Sequence, residues 1–419
     1  MSFIKQILPV KLLTMTLGMA VLSSSLSIQA QSLAITNATV YTVTEQGVLN
    51  NATVIVEDGK ITAINPNSVD VDVTIDAKGK ILTPGFIGSM NQLGLIEVGA
   101  VSRTRDASDK KADITFDASL AFNPKTTVIP YSRKGGITRN IVTPNGGESM
   151  FKGFAFAADL SGDFDSVIDS KSAVVVDLGA KSKGSRALEL QALSQQLEDA
   201  SKKLTDEKPS KDDKKESLKR DEKIINSLLA GEIPLLAYAD RATDLLTLIN
   251  LKKEYNLNLI IAGAADGILV SKQLADENIV VVVSVMRNLP DSFDSLHTSL
   301  ASAADLTQAG VKVILSVNDA HNIYQLRYDA GISVANGLSK DAALAAITRN
   351  VADTFSLNAG RIATGYDADL VLWSADPFEL STHVDKMWIA GEEVSTTSRQ
   401  DALRKRYTTN SDMPRAYIK

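Results

Sequence analysis

The stretch Leu82-Thr83-Pro84-Gly85-Phe86-Ile87-Gly88-Ser89-Met90-Asn91-Gln92-Leu93-Gly94-Leu95 decides the fold of this 419-residue chain. It overlaps the first of seven near-continuous apolar runs, which alternate with stretches of helical periodicity. A strand that is apolar without alternation is buried on both faces, as in a parallel sheet. The runs cover residues 81–87, 137–142, 173–178, 233–239, 257–262, 279–285 and 311–317.

Seven strands, with an eighth candidate at 154–158, predict an α/β protein built on a (β/α)8 TIM barrel spanning residues 83–361. A doubly wound open sheet is the alternative. The two ends of the chain favour the barrel. Residues 32–82 hold short β-branched runs, and Asp58-Gly59 between two of them favours a hairpin turn with positive φ. Residues 362–397 hold similar runs, so we expect both ends to pair into one small β-sandwich domain.

Motifs at five places, in the expected order, resemble the amidohydrolase superfamily. The opening stretch is similar to that family's first barrel strand, P-G-[FL]-I-D-x-H-x-H. V-E-D-G-K-I-T-A-I at 56–64 and G-Y-D-A-D-L-V-L-W at 365–373 resemble its terminal β segments. The resemblance implies hydrolysis of carbon–nitrogen bonds. Histidines from strands 1, 5 and 6 and an aspartate from strand 8 would hold a zinc or other divalent ion that activates water.

This chain departs from the family at the metal-ligand positions. Met90 and Gln92 stand where strand 1 has its two histidines, Tyr238 stands at the strand-5 position, and Gly263 stands at the strand-6 position. A thioether and a neutral amide are poor ligands for a hard divalent ion, and glycine offers no side chain. We therefore predict that the chain has no metal site and needs no cofactor.

The candidate catalytic residues are Asp319, His321, Asp240 and Tyr238. Asp319 falls at, or one residue from, the strand-8 aspartate of the resemblance, and it can act as an acid or base. Simpler roles stay open: Asp319 caps a loop, His321 is bonded within the same loop, and Asp240 pairs with Arg241 or Arg139. Met90 and Tyr238 can simply fill the barrel mouth. The other histidines, His297 on an expected helix and His383 in the C-terminal β region, are predicted to lie away from the mouth.

Two glycines and a charged segment complete the interpretation. Gly146-Gly147 predicts a turn above the second strand, either a plain loop or a backbone anion site. Residues from about 185 to 230 carry helical stripes around a highly charged break at Pro209. We expect a solvated helical hairpin outside the barrel, with a subunit-contact arm as the alternative.

The N-terminus predicts a secretory signal peptide over residues 1–30, with Lys5 and Lys11 before a short apolar run. An uncleaved membrane anchor is the alternative. The chain has no cysteine, and its 44 basic against 50 acidic residues give a net charge of −6. These features indicate a secreted protein, most simply in the bacterial periplasm, with no nucleic-acid partner and no membrane span after signal removal. Residues 398–419 are predicted to form a C-terminal tail.

Three functions follow from these observations. The first is an amidohydrolase by descent, acting on a small amide or peptide-like ligand. The second is an inactive pseudoenzyme that forms a homo-oligomer or pairs with an active homologue through the barrel rim or the helical arm. The third is a binding protein for a small solute.

Overall fold

The computed structural model describes residues 32–178, 185–206, 219–290 and 292–409. The predicted signal peptide, the central break of the charged segment and the last ten residues of the predicted tail lie outside these ranges. Within them, no helix is both long and apolar enough to cross a membrane.

The barrel prediction is confirmed. Eight strands form one sheet in which each strand pairs with its neighbour in the chain. The strands are β6 (Phe86–Asn91), β7 (Ile137–Val142), β8 (Phe151–Asp159), β9 (Val167–Asp177), β10 (Leu235–Ala239), β11 (Leu259–Gly263), β12 (Val280–Val283) and β13 (Lys312–Leu315). Their apolar sequences are buried because helices and loops cover the outside while side chains fill the inside.

The eighth candidate strand is real, but it runs against the other seven. β8 pairs antiparallel with both β7 and β9. Its two connections, residues 143–150 and 160–166, are short turns that contain no helix. The turn that includes Gly146 and Gly147 packs on the long loop after β6, where the Asn145 amide donates to the Ala107 carbonyl at 2.8 Å.

Among the described residues, no strand ladder joins β13 to β6 where the barrel closes. Instead, the segment between α8 (Lys340–Ala346) and α9 (Arg349–Thr354) lies at this seam. The Ile87 amide of β6 donates to the Ile347 carbonyl at 2.8 Å, and the Asn350 amide group donates to the Val313 carbonyl of β13 at 2.8 Å. This segment therefore supplies backbone partners that a neighbouring strand would otherwise provide.

Helices occupy the connections after the remaining strands. They are α1 (Val128–Arg133), α2 (Arg186–Asp206), α3 (Arg220–Leu229), α4 (Ala242–Tyr255), α5 (Ser271–Asp276), α6 (Ser302–Gln308) and α7 (Leu326–Ala335). α2 and α3 are the predicted helices of the charged segment. Leu193, Leu197, Ile225 and Leu228 are buried in the main core, so the hairpin is solvated on one side only and packs on the barrel with the other.

The strands from the two chain ends form one continuous sheet rather than two separately bonded layers. They are β1 (Leu33–Tyr41), β2 (Val48–Glu57), β3 (Lys60–Ile64), β4 (Val73–Asp76), β5 (Ile81–Pro84), β14 (Leu370–Trp373), β15 (Val384–Ile389) and β16 (Glu392–Glu393). β14 joins the halves by pairing antiparallel with β5. As the Asp58-Gly59 dipeptide predicts, both residues have positive φ in the hairpin between β2 and β3.

A buried ion pair fastens this sheet to the barrel. Arg139 on β7 donates from Nε to Asp369 Oδ2 at 2.5 Å and from a terminal nitrogen to Asp367 at 2.8 Å. The Arg139 and Asp369 side chains are 6% and 1% exposed. The C-terminal residues begin with α10 (Arg399–Thr408), which Ser398 caps and which Lys134 contacts through Asp401.

Candidate functional site

The site lies at the C-terminal ends of the parallel strands, where barrels of this type bind their ligands. A cavity of about 70 Å³ opens there, and its lining includes Met90, Tyr238, Gly263, Arg287 and Asn318. A cavity of this size holds only a few water molecules, whereas ligand pockets typically measure about 300–1,000 Å³. Three of the four ligand positions named from the sequence therefore converge at one small cavity.

Met90 closes the floor of this mouth. It sits at an irregularity in β6, where the pairing with β7 shifts between Ser89 and Asn91, and its backbone φ is 60°. Its side chain is 2% exposed and belongs to the apolar cluster inside the barrel, together with Ile87 and Ile141. The irregularity in β6 therefore places an apolar thioether where the family resemblance calls for a metal-ligating histidine.

Tyr238 extends over Met90 from the end of β10. Its hydroxyl donates to the Met90 sulfur at 3.6 Å and lies 3.5 Å from Thr143 Oγ1. Burial raises the pKa of the Tyr238 phenol to about 12, and the nearby Asp177 carboxylate adds to this shift while the Thr143 hydroxyl opposes it. Gln92 donates its side-chain amide to the Thr143 carbonyl at 3.3 Å. These groups are bonded to one another, and the phenol stays neutral at physiological pH.

Asp240 takes the space beside Gly263. It accepts hydrogen bonds from Arg287 at 3.1 and 3.3 Å and from the Ala265 amide at 3.2 Å. The expected pairing with Arg241 or Arg139 is wrong, because Arg241 bonds Asp244 and Arg139 bonds Asp369. A Cβ built on Gly263 would lie 2.6 Å from Asp240 Oδ1, and Gly263 has a φ of +99°. A side chain at position 263 would therefore strain the backbone and require Asp240 to move.

Asp319 is not among the residues that line the cavity. Its side chain is 57% exposed, and its two oxygens accept from the His321 amide at 2.9 Å and from the Asn322 side chain at 2.8 Å. His321 donates from Nε2 to the Glu97 carbonyl, 3.0 Å away in the loop after β6. At the end of β13 it is Asn318, together with Ser316, that lines the cavity.

His297 lies near the mouth, whereas the sequence predicted a helical position away from it. It lies in a turn after β12 rather than on a helix, and its Nδ1 is 2.7 Å from Asp266 Oδ1 in the loop after β11. It therefore belongs to the loops around the mouth, next to the cavity-lining Thr298. His383 lies just before β15, as expected, with Nδ1 3.2 Å from Ser374 Oγ. Across the described ranges, no three histidine, aspartate or glutamate side chains group closely enough to hold a metal ion.

The comparisons with known proteins agree with this architecture. The family model described as "Amidohydrolase family" matches residues 235–394, which run from β10 through the final hairpin. Over these residues the chain is an amidohydrolase-family sequence. An 81-residue segment is 33% identical to Amidohydrolase tasK of Hapsidospora irregularis. That match covers 19% of this chain and only 8% of that protein's length.

Solved structures share the fold. An amidohydrolase from Thermotoga maritima superimposes with a TM-score of 0.78 at 24% identity, covering 88% of this chain and 100% of that one. An adenosine deaminase from Xanthomonas campestris, solved with bound zinc, gives a TM-score of 0.52 at 17% identity over 90% of this chain and 99% of its own. At these identities the likeness concerns the fold alone.

The side chains at the mouth do not fit the metal that the superfamily implies. Divalent ions of this kind are held by imidazole and carboxylate groups. The mouth presents instead a thioether, a neutral phenol, a carboxamide and a glycine. The carboxylate beside Gly263, that of Asp240, already bonds a guanidinium and a backbone amide. No step of a metal-assisted reaction can be assigned to these residues.

Three mouth residues went unnoticed in the sequence. Arg287 lies four residues beyond β12 and gives no local signal of its role. Thr143 follows a strand but belongs to no motif that we recognised. Asn318 lies three residues beyond β13, next to Asp319, which the resemblance favoured.

Proposed function

We propose that this protein is a non-hydrolytic member of the amidohydrolase superfamily, which acts by binding and not by cleaving carbon–nitrogen bonds. The observation that carries the proposal is the convergence of Met90, Tyr238, Gly263 and Asn318 at the mouth. Met90, Tyr238 and Gly263 stand where the superfamily resemblance calls for histidines, and Asn318 is the neighbour of Asp319, the residue at or next to the strand-8 aspartate position. In their place are groups that neither hold a divalent ion nor accept a proton near neutral pH.

Metal-free acid–base catalysis finds little support in the geometry. Such a mechanism needs a carboxylate within hydrogen-bond reach of a substrate in the mouth. Asp319 bonds its own loop instead, and Asp240 bonds Arg287. The small volume of the cavity also disfavours a small amide or peptide-like ligand held deep in the mouth. Binding of another protein subunit through the surface is therefore better supported than binding of a small ligand in the cavity.

The decisive experiment combines metal analysis with an activity panel. Protein purified without chelator is expected to contain far less than one zinc per chain and to leave N-acyl amino acids, dipeptides and cyclic amides intact. A superfamily member with an intact H-x-H motif serves as the positive control for both measurements. Stoichiometric zinc, or hydrolysis that EDTA abolishes, would refute the proposal. EDTA-resistant hydrolysis lost in Asp319→Asn would instead establish metal-free catalysis.

The proposed location is the bacterial periplasm. The support is the N-terminal segment, in which Lys5 and Lys11 accompany a short apolar run. N-terminal sequencing of the exported protein should give Gln31 as the first residue. An intact Met1 on membrane-bound protein would show that the segment is an anchor.

A further inference from the structure

The loops around the barrel mouth expose an unusual amount of apolar surface. Phe293 is 93% exposed and Leu289 is 71% exposed, both in the loop after β12. Four more large apolar side chains near the mouth are each more than half exposed. We call the six residues the mouth crown: Leu188, Leu269, Met286, Leu289, Phe293 and Leu296. Single exposed apolar residues are normal on a protein surface, but a group of them marks an interaction site.

An ion pair and a hydrogen bond hold the crown segments next to one another. Arg186, at the start of α2, bonds Asp294 beside Phe293. His297, beside Leu296, bonds Asp266 in the loop that carries Leu269. These contacts therefore bring together three segments that are distant in sequence, and each segment carries part of the crown. It borders the cavity, because the loop after β12 also contributes Arg287 and Thr298 to the cavity lining.

The size of the crown suits a protein–protein interface. Six side chains of this size, at these exposures, present on the order of 500 Å² of apolar surface. A standard interface buries about 800 Å² per partner, of which a little over half is apolar. The largest apolar patch of an ordinary monomer is about 300–600 Å² and often has a function.

The charges around the crown indicate which partner it fits. The cations Arg186 and Arg241 are each bonded to a neighbouring aspartate, Asp294 and Asp244. Among the described residues, these two pairs therefore cancel their own charges, although the whole chain carries a net charge of −6. A second copy of the chain would consequently meet little repulsion at this face.

We propose that the mouth crown is a self-association surface through which two copies of this chain pair mouth to mouth. In that dimer each copy covers the cavity of the other. The proposal goes beyond the proposed function, because it names the surface and the partner and does not depend on whether a metal is bound.

Sedimentation velocity from about 0.1 to about 100 µM protein tests the proposal, since this range spans the affinities of ordinary dimers. The crown variant is Leu289→Asp/Phe293→Asp. The matched control is Phe164→Asp/Leu380→Asp, whose wild-type side chains are 85% and 78% exposed. Phe164 lies in the turn between β8 and β9, at the opposite end of the barrel, and Leu380 precedes β15. Thermal unfolding followed by circular dichroism shows that each variant keeps its fold.

Wild-type protein and the control variant are expected to dimerise with similar dissociation constants. The crown variant should weaken the dimer by at least about 30-fold, the change that an interface hot spot produces. A wild-type monomer at every concentration would overturn the proposal, as would equal dimerisation of the crown variant or equal dissociation of the control. Zinc measured in the same samples would count against the proposed function and leave the dimer result standing.

Discussion

Replacement of Gly263 tests whether the barrel mouth can accept a side chain at the position where the family resemblance places a histidine. The change is Gly263→Ala, the smallest side chain that the position could gain. The residue has a φ of +99°, and the new Cβ would lie 2.6 Å from Asp240 Oδ1. Asp240 would have to leave Arg287 and the Ala265 amide, to which it is now bonded.

Two costs add up in this variant. A non-glycine residue in a sparsely populated backbone region costs about 1–3 kcal/mol. Loss of hydrogen bonds that involve a charged group costs about 1.5–3 kcal/mol. The free energy of unfolding should therefore fall by roughly 4 kcal/mol in Gly263→Ala. Urea denaturation at neutral pH, followed by circular dichroism, measures the loss.

Other glycines of the same chain separate the two costs. Gly79 has a φ of +78° and no atom within 4 Å of the position that a Cβ would take, so Gly79→Ala reports backbone strain alone. Gly99 has open space and no positive φ, so Gly99→Ala should be close to neutral. In an Asp240→Ala background, Gly263→Ala should cost only about as much as Gly79→Ala, because the clash has been removed. The reasoning is refuted if Gly263→Ala is no more destabilising than Gly79→Ala.

Three further predictions concern the stability of the fold. Asp369→Asn should lower the free energy of unfolding by about 3–5 kcal/mol, because it leaves buried Arg139 without its closest charge partner. Lys60 pairs with Asp367 at the surface, so Lys60→Met should lower the free energy of unfolding by under about 1 kcal/mol. Equal losses for Asp369→Asn and Lys60→Met in thermal unfolding would contradict the greater weight given to the buried pair. Burial raises the pKa of Asp329 from 3.8 to about 7, so the native state holds a proton that the unfolded chain has lost between these values. The free energy of unfolding of the wild type should therefore fall as pH rises from about 4 to about 7. Asp329→Asn has no titrating group at this position, so its stability relative to the wild type should increase over that window and stay higher above it. Parallel pH profiles of the two melting temperatures would disprove this. The pKa of Tyr238 is raised from 10.0 to about 12, so its proton stabilises the fold below pH 10 and that contribution is lost towards pH 12. Urea midpoints of wild type and Tyr238→Phe should therefore diverge above pH 10, with the variant the less sensitive, and a constant difference would count against the buried phenol.

Much of the architecture could be predicted because it depends on local patterns. The apolar runs predicted the seven parallel strands, and their continuity predicted burial on both faces. Asp58-Gly59 predicted its own hairpin, because positive φ is a property of a few residues in sequence. The direction of β8 could not be predicted, since an apolar run has the same pattern whichever way the strand lies in the sheet.

The candidate site, too, could be predicted only where local sequence patterns determine it. The sequence predicted that Met90, Gln92, Tyr238 and Gly263 would stand at the ligand stations, because motif spacing fixes which residue ends each strand. It predicted the wrong partner for Asp240, because Arg287 lies 47 residues away and only the barrel brings the two together. It also favoured Asp319 over Asn318, because the two are adjacent and only the backbone direction after β13 decides which one lines the cavity.

The amino-acid sequence by itself determined the strands, the pairing of the two chain ends and the chemical groups present at the mouth. These depend on short-range periodicity and on residue identity. Only the tertiary structure decided that Ile347 and Asn350 lie at the barrel seam, that Asp240 bonds Arg287, and that the segments carrying the mouth crown contact one another. Such contacts join residues far apart in the chain, and their formation depends on packing in three dimensions that no local pattern encodes.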